Sequence, residues 1–127
     1  MSSLQKLISL ELKAEALGFE WPNTLAIVDQ VMSECDEIRQ SLTLKEGKDR
    51  LQEEVGDLLL SVVSLSVYER LDIEKIITDV ANKFQGRLKA LESIMKNRGY
   101  DSLKDQSFDV MLELWEEAKN LTDSRRL

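Results

Sequence analysis

The chain has 127 residues, 43% of them hydrophobic and 32% charged, which fits one globular domain with its own core and excludes a disordered chain. A formal charge of -7 argues against a surface for nucleic-acid backbones, and the lack of histidine removes the usual proton carrier near neutral pH. One proline and five glycines, set among many leucines, glutamates and lysines, predict an all-α fold.

In chain order, apolar residues from Leu4 to Leu17 recur at helical spacing and Gly18 suits the end of a first helix. Residues 19–23 break it, because the position before Pro22 is pushed away from helical dihedrals, and they carry Phe19 and Trp21. Asn23 is the expected cap of a second helix, whose apolar stripe is read as Leu25, Val28, Met32, Cys35 and Leu42. Cys35, the lone cysteine, is read as core filler in a reducing compartment. A polar connection over residues 43–49 leads to a third helix over about 49–71, so apolar beyond Asp57 that part of its surface needs a second copy of the chain to cover it. Residues 58–67 are too few and too interrupted by serine to span a bilayer, so a cytoplasmic protein with no membrane partner is expected. Asp72 opens a fourth helix that carries Lys83 and Arg87 on one side and Gly86 between them, a glycine that suggests a close backbone approach. A fifth helix, residues 108–121, bears Trp115 and Lys119. The whole reads as a single domain over residues 1–127, a bundle of four to five helices completed by homo-oligomerisation, with about 122–127 a frayed tail.

Two acidic clusters stand out. Glu34 and Glu37 lie three apart, so both point to one side of the second helix. Glu53, Glu54 and Asp57 repel one another near the start of the third, where the helix dipole offsets only about 0.3–1 kcal/mol per charge. A divalent cation offsets far more. Four carboxylates from two antiparallel helices, Glu34, Glu37, Glu54 and Asp57, form a hard-oxygen set suited to Mg²⁺, with Mn²⁺ a substitute, and leave coordination positions for water and phosphate.

Gly18-Phe19-x-Trp21-Pro22, Glu34-x-x-Glu37, Glu53-Glu54-Val55-Gly56-Asp57, Asn82-Lys83-Phe84-x-x-Arg87 and Leu114-Trp115-Glu116-Glu117-Ala118-Lys119 occur in that order along nearly the whole chain. Together they resemble the MazG-type nucleoside triphosphate pyrophosphohydrolases of the all-α NTP pyrophosphatase superfamily. The resemblance implies Mg²⁺-dependent hydrolysis of a (d)NTP to (d)NMP and pyrophosphate, as house-cleaning of the nucleotide pool, by a homodimer or homotetramer. It implies metal ligation by Glu34, Glu37, Glu54 and Asp57, phosphate contacts from Lys83, Arg87, Lys119 and Arg50, and a nucleotide contact from Trp115. In the absence of histidine, the candidate general bases are a carboxylate such as Glu37 or Glu53, or simply metal-bound water with a lowered pKa. Ser33 and Gly86 depart from the family's usual residues. The alternatives are a dedicated dUTP or dCTP pyrophosphatase, a phosphoribosyl-ATP pyrophosphohydrolase, or a non-catalytic helical dimer that binds metal or a protein partner.

Overall fold

A computed structural model describes residues 1–123, which form five α-helices and no strand. The all-α expectation holds. The chain divides into two compact units, Met1–Ile73 and a second that begins at Glu74.

The first unit contains α1 (Ser3–Ala16), α2 (Thr24–Thr43) and α3 (Lys48–Tyr68). Ser2 and Gln5 close a capping box at the start of α1: the serine hydroxyl accepts from the Gln5 N–H at 3.1 Å and the Gln5 amide oxygen accepts from the Ser2 N–H at 2.9 Å. Asn23 caps α2 as expected, accepting from the Ala26 N–H at 2.8 Å. Gly18, at φ 85°, turns the chain out of α1. Its N–H donates to the Glu15 carbonyl and that of Phe19 to the Ala14 carbonyl, both at 2.9 Å, so the last carbonyls of the helix are satisfied within the turn. The same left-handed turn closes α2 at Lys45 and α3 at Arg70, where no glycine relieves the strain. Arg70 has a compensation: its guanidinium forks onto the Glu15 carboxylate at 2.7 and 3.2 Å, tying the end of α3 to α1.

Antiparallel α2 and α3 form a hairpin, and α1 packs on α3. Val63, Val67 and Ile73 are buried together with Leu4, Leu7 and Ile8 against them. Three polar residues in the apolar stretch of α3, Ser61, Ser64 and Ser66, are also buried. Ser61 and Ser66 donate back to the Leu58 and Val62 carbonyls of their own helix, at 2.8 and 3.0 Å. The Ser64 hydroxyl lies 2.6 Å from Glu11 Oε1 and 2.9 Å from the Leu60 carbonyl, the shorter contact taking its proton, so small hydroxyls enter the interior without orphaned donors.

The inward face of α2 is not the predicted stripe. Ile27 and Ser41 are buried, with Val31, Glu34 and Ile38 half-buried between them at heptad spacing, whereas Leu25, Val28, Met32, Cys35 and Leu42 are exposed. Cys35 is therefore not core filler. The helix has two apolar faces, and periodicity alone does not say which one a neighbour in the same chain covers.

In the second unit, α4 (Ile73–Asn97) and α5 (Phe108–Thr122) bury Ile94, Leu114 and Ala118, flanked by Leu91, Tyr100 and Trp115. Ser107 caps α5, accepting from the Val110 N–H at 3.2 Å. Arg98 on the α4 side pairs with Glu117 of α5. The close approach expected at Gly86 is absent among the described residues: a Cβ there would meet no heavy atom within 4 Å. Of the stretch read as a frayed tail, Thr122 closes α5 and Asp123 lies within 3.4 Å of Arg87; residues 124–127 fall outside the described residues.

Candidate metal centre and cleft

The hairpin brings Glu34 of α2 against Glu54 and Asp57 of α3, with one carboxylate oxygen from each lying within 4.8 Å of the others. Glu54 and Asp57 are three apart on one helix, so they share a face, and the antiparallel partner carries Glu34 to the same level. Glu34 is fixed by the residue one turn before it: the Gln30 amide donates to Glu34 Oε1 at 2.7 Å.

Glu54 is buried, at 3% exposure, and Arg50 one turn back holds it at 2.6 Å while also reaching Glu53 at 3.0 Å. Burial pushes the Glu54 carboxyl above its ordinary range. Arg50 pulls it back, and the negative charges of Glu37, Asp57 and Glu34 push it up again. Such a group is costly to leave as a lone anion and gains from a cation. Three hard oxygen donors at this spacing, one of them desolvated, fit a divalent ion of the Mg²⁺ type, which takes carboxylate oxygens and keeps water and phosphate in its remaining positions. Glu37 is exposed and outside the tight group, yet near enough for its charge to act on Glu54.

Beside Glu34 and Asp57 lies a cleft of about 680 Å³, built by the first unit alone. Its walls follow the helical period: Leu7, Leu10, Glu11 and Ala14 on α1, Asp57, Leu60, Ser61 and Ser64 on α3, and Gln30 and Glu34 on α2, with Phe19 and Trp21 from the α1–α2 connection. Serine at 61 and 64 leaves space where a leucine would fill the groove. Glu11, Gln30, Ser61 and Ser64 were not among the residues singled out in the sequence. The signal was present in a carboxylate inside the apolar pattern of α1 and in two serines three apart inside that of α3.

The other sequence candidates are Lys83, Arg87, Trp115 and Lys119, all in the second unit. The Trp115 ring meets Phe84 edge-on, centroids 5.8 Å apart at 66°. Arg87 is largely buried, its Nη2 3.4 Å from Asp123 Oδ2 and its Nε without a hydrogen-bond partner among the described residues. Lys119 reaches Glu116 at 3.2 Å, and Lys83 is exposed.

Residues 23–91, just over half of the chain and including the whole α2–α3 hairpin, match the MazG nucleotide pyrophosphohydrolase domain, and the chain belongs to that family. It is 33% identical over 108 residues to the nucleoside triphosphate pyrophosphohydrolase/pyrophosphatase MazG of Thermotoga maritima, covering 84% of this chain and 40% of the relative. Against the nucleoside triphosphate pyrophosphohydrolase of Escherichia coli it is 27% identical over 123 residues, 94% of this chain and 45% of the relative. The chain thus spans less than half the length of these relatives.

Proposed function

We propose that the chain hydrolyses nucleoside triphosphates to the monophosphate and pyrophosphate with Mg²⁺, or Mn²⁺ in its place, as cytoplasmic house-cleaning of the nucleotide pool. One observation carries this reading: Glu34, Glu54 and Asp57 converge within 4.8 Å at a cleft with room for a nucleoside. The names of the relatives, nucleoside triphosphate pyrophosphohydrolases, support the same reading.

Glu34, Glu54 and Asp57, with Glu37 completing the set, are the residues that would hold the cations. A divalent ion bound there supplies positive charge to the triphosphate oxygens and lowers the pKa of bound water. The residues of the chain orient the rest. Gln30 keeps one Glu34 oxygen engaged and so fixes the direction of the other. Glu37 or Glu53, both exposed carboxylates, would accept the proton of the water that attacks the α-phosphorus at an Oε atom. Arg50 is already placed beside Glu54, and it is assigned to the phosphates with Lys83, Arg87 and Lys119, as Trp115 is to the nucleotide. A homodimer or homotetramer is part of the proposal, since apolar residues on α2 and α3 are exposed in the single chain.

The test is pyrophosphate release from purified protein, MgCl₂ and each common dNTP and NTP in turn. Turnover of several nucleotides is expected. Release from dUTP or dCTP alone would mark a dedicated pyrophosphatase, and no release from any nucleotide would mark a non-catalytic helical protein.

A further inference from the structure

Resting on the hydrolase reading above, we propose that Glu11 selects the base of the nucleotide, favouring bases that carry an exocyclic amino group over uracil and thymine. Glu11 is the one carboxylate that α1 contributes to the cleft, between Leu7 and Leu10 on one side and Ala14 on the other. Its position is built. The Ser64 hydroxyl, on a residue 5% exposed, donates to Glu11 Oε1 at 2.6 Å, across 53 residues of sequence. A serine has one proton to give and an ionised carboxylate can only accept, so the pair has a fixed polarity. Oε2 of Glu11 has no hydrogen-bond partner among the described residues, which leaves it as an acceptor in an apolar groove.

Distance and chemistry agree with a base at this point. Ser64 follows Asp57 by seven residues on α3, about 10 Å along the axis. That is the reach from the α-phosphate of a nucleotide to the far edge of its base, so a triphosphate held at Asp57 would bring its base between the aromatic wall of Phe19 and Trp21 and the Glu11 carboxylate. The polar groups of the cleft are the carboxylates of Glu11, Glu20, Glu34 and Asp57, two serine hydroxyls, the Gln30 amide and the Trp21 indole N–H, with no lysine or arginine among them. The amino groups of cytosine, adenine and guanine offer N–H to such an acceptor. Uracil and thymine turn carbonyl oxygens toward it on both sides of their one N–H, and these repel a carboxylate.

The experiment is kcat/KM for dCTP, dATP, dGTP, dUTP and dTTP with MgCl₂, measured on the wild type and on Glu11→Gln. A site that hydrogen-bonds one base edge discriminates against the edge that leaves it unpaired, so the wild type should prefer the amino-bearing bases by about tenfold or more. Glutamine both donates and accepts, and Glu11→Gln should shrink that ratio by raising dUTP and dTTP. The wild-type panel decides the matter even if the variant fails to fold, because equal kcat/KM for dCTP and dUTP overturns the proposal. A preference that Glu11→Gln leaves unchanged also overturns it, and gives the groove to another occupant, such as a second copy of the chain. Either result leaves the hydrolase reading standing; no turnover of any nucleotide sinks both.

Discussion

At Glu54 a buried carboxylate faces three other negative charges and one arginine, and the balance raises its pKa. A group whose pKa is higher in the folded protein than in the unfolded chain favours folding in its neutral form. The contribution is present at low pH and lost as pH rises through the folded value. In EDTA, Glu54→Gln should therefore melt higher than the wild type at pH 8, and the gap should close on acidification as Glu54 itself becomes neutral. With MgCl₂ the order should reverse, because a cation bound to Glu34, Glu54 and Asp57 stabilises the wild type by mass action and the variant much less. Thermal melts of the two proteins, with and without Mg²⁺ at both pH values, check this. A wild type that melts higher in EDTA at pH 8 would show that the Arg50 pair outweighs the repulsion.

Among the helices, α2 shows best what a pattern reveals and what it leaves open. Its N-terminus was legible, since Asn23 after Pro22 has the side chain and the position to satisfy the Ala26 N–H. So was the facing of Glu34 toward α3, which follows from residues three apart on two helices joined by a short turn. The buried face was not. Leu25, Val28, Met32, Cys35 and Leu42 form the more continuous apolar stripe, yet α3 packs on the side with Ile27 and Ser41. Leu25 remains 74% exposed and Met32 62%, and on α3 Leu59 is 59% exposed, which is more apolar surface than a lone helix hairpin in water tolerates. In the proposed oligomer a second copy of the chain covers it. Sedimentation should find a particle of two or four times 14.6 kDa, and Leu59→Glu should shift it toward the monomer. A wild type that sediments as a monomer at assay concentrations would contradict the oligomer.

Across the molecule, the fold and the site depend on different parts of the sequence. Five helices and several of their ends follow from local chemistry: serine and asparagine caps, and glycine in left-handed turns at Gly18 and Gly99, whereas the turns at Lys45 and Arg70 carry no such signal. The carboxylate cluster follows almost as directly, since it needs only the register of one hairpin. The cleft does not, because it exists where α1 returns onto α3, through contacts such as Glu11 with Ser64 that no window of sequence contains. The division into two units, with the metal-type carboxylates in the first and Lys83, Arg87, Trp115 and Lys119 in the second, was equally outside any local signal. What unites these parts is the claim that the hairpin carboxylates hold the cation on which triphosphate cleavage depends. Asp57 tests it most cleanly, since its side chain is exposed and Asp57→Asn removes a charge without removing packing. Pyrophosphate release by wild type and Asp57→Asn in MgCl₂, with circular dichroism showing equal helicity, should differ by about a hundredfold or more. Equal rates in the two folded proteins would contradict the assignment.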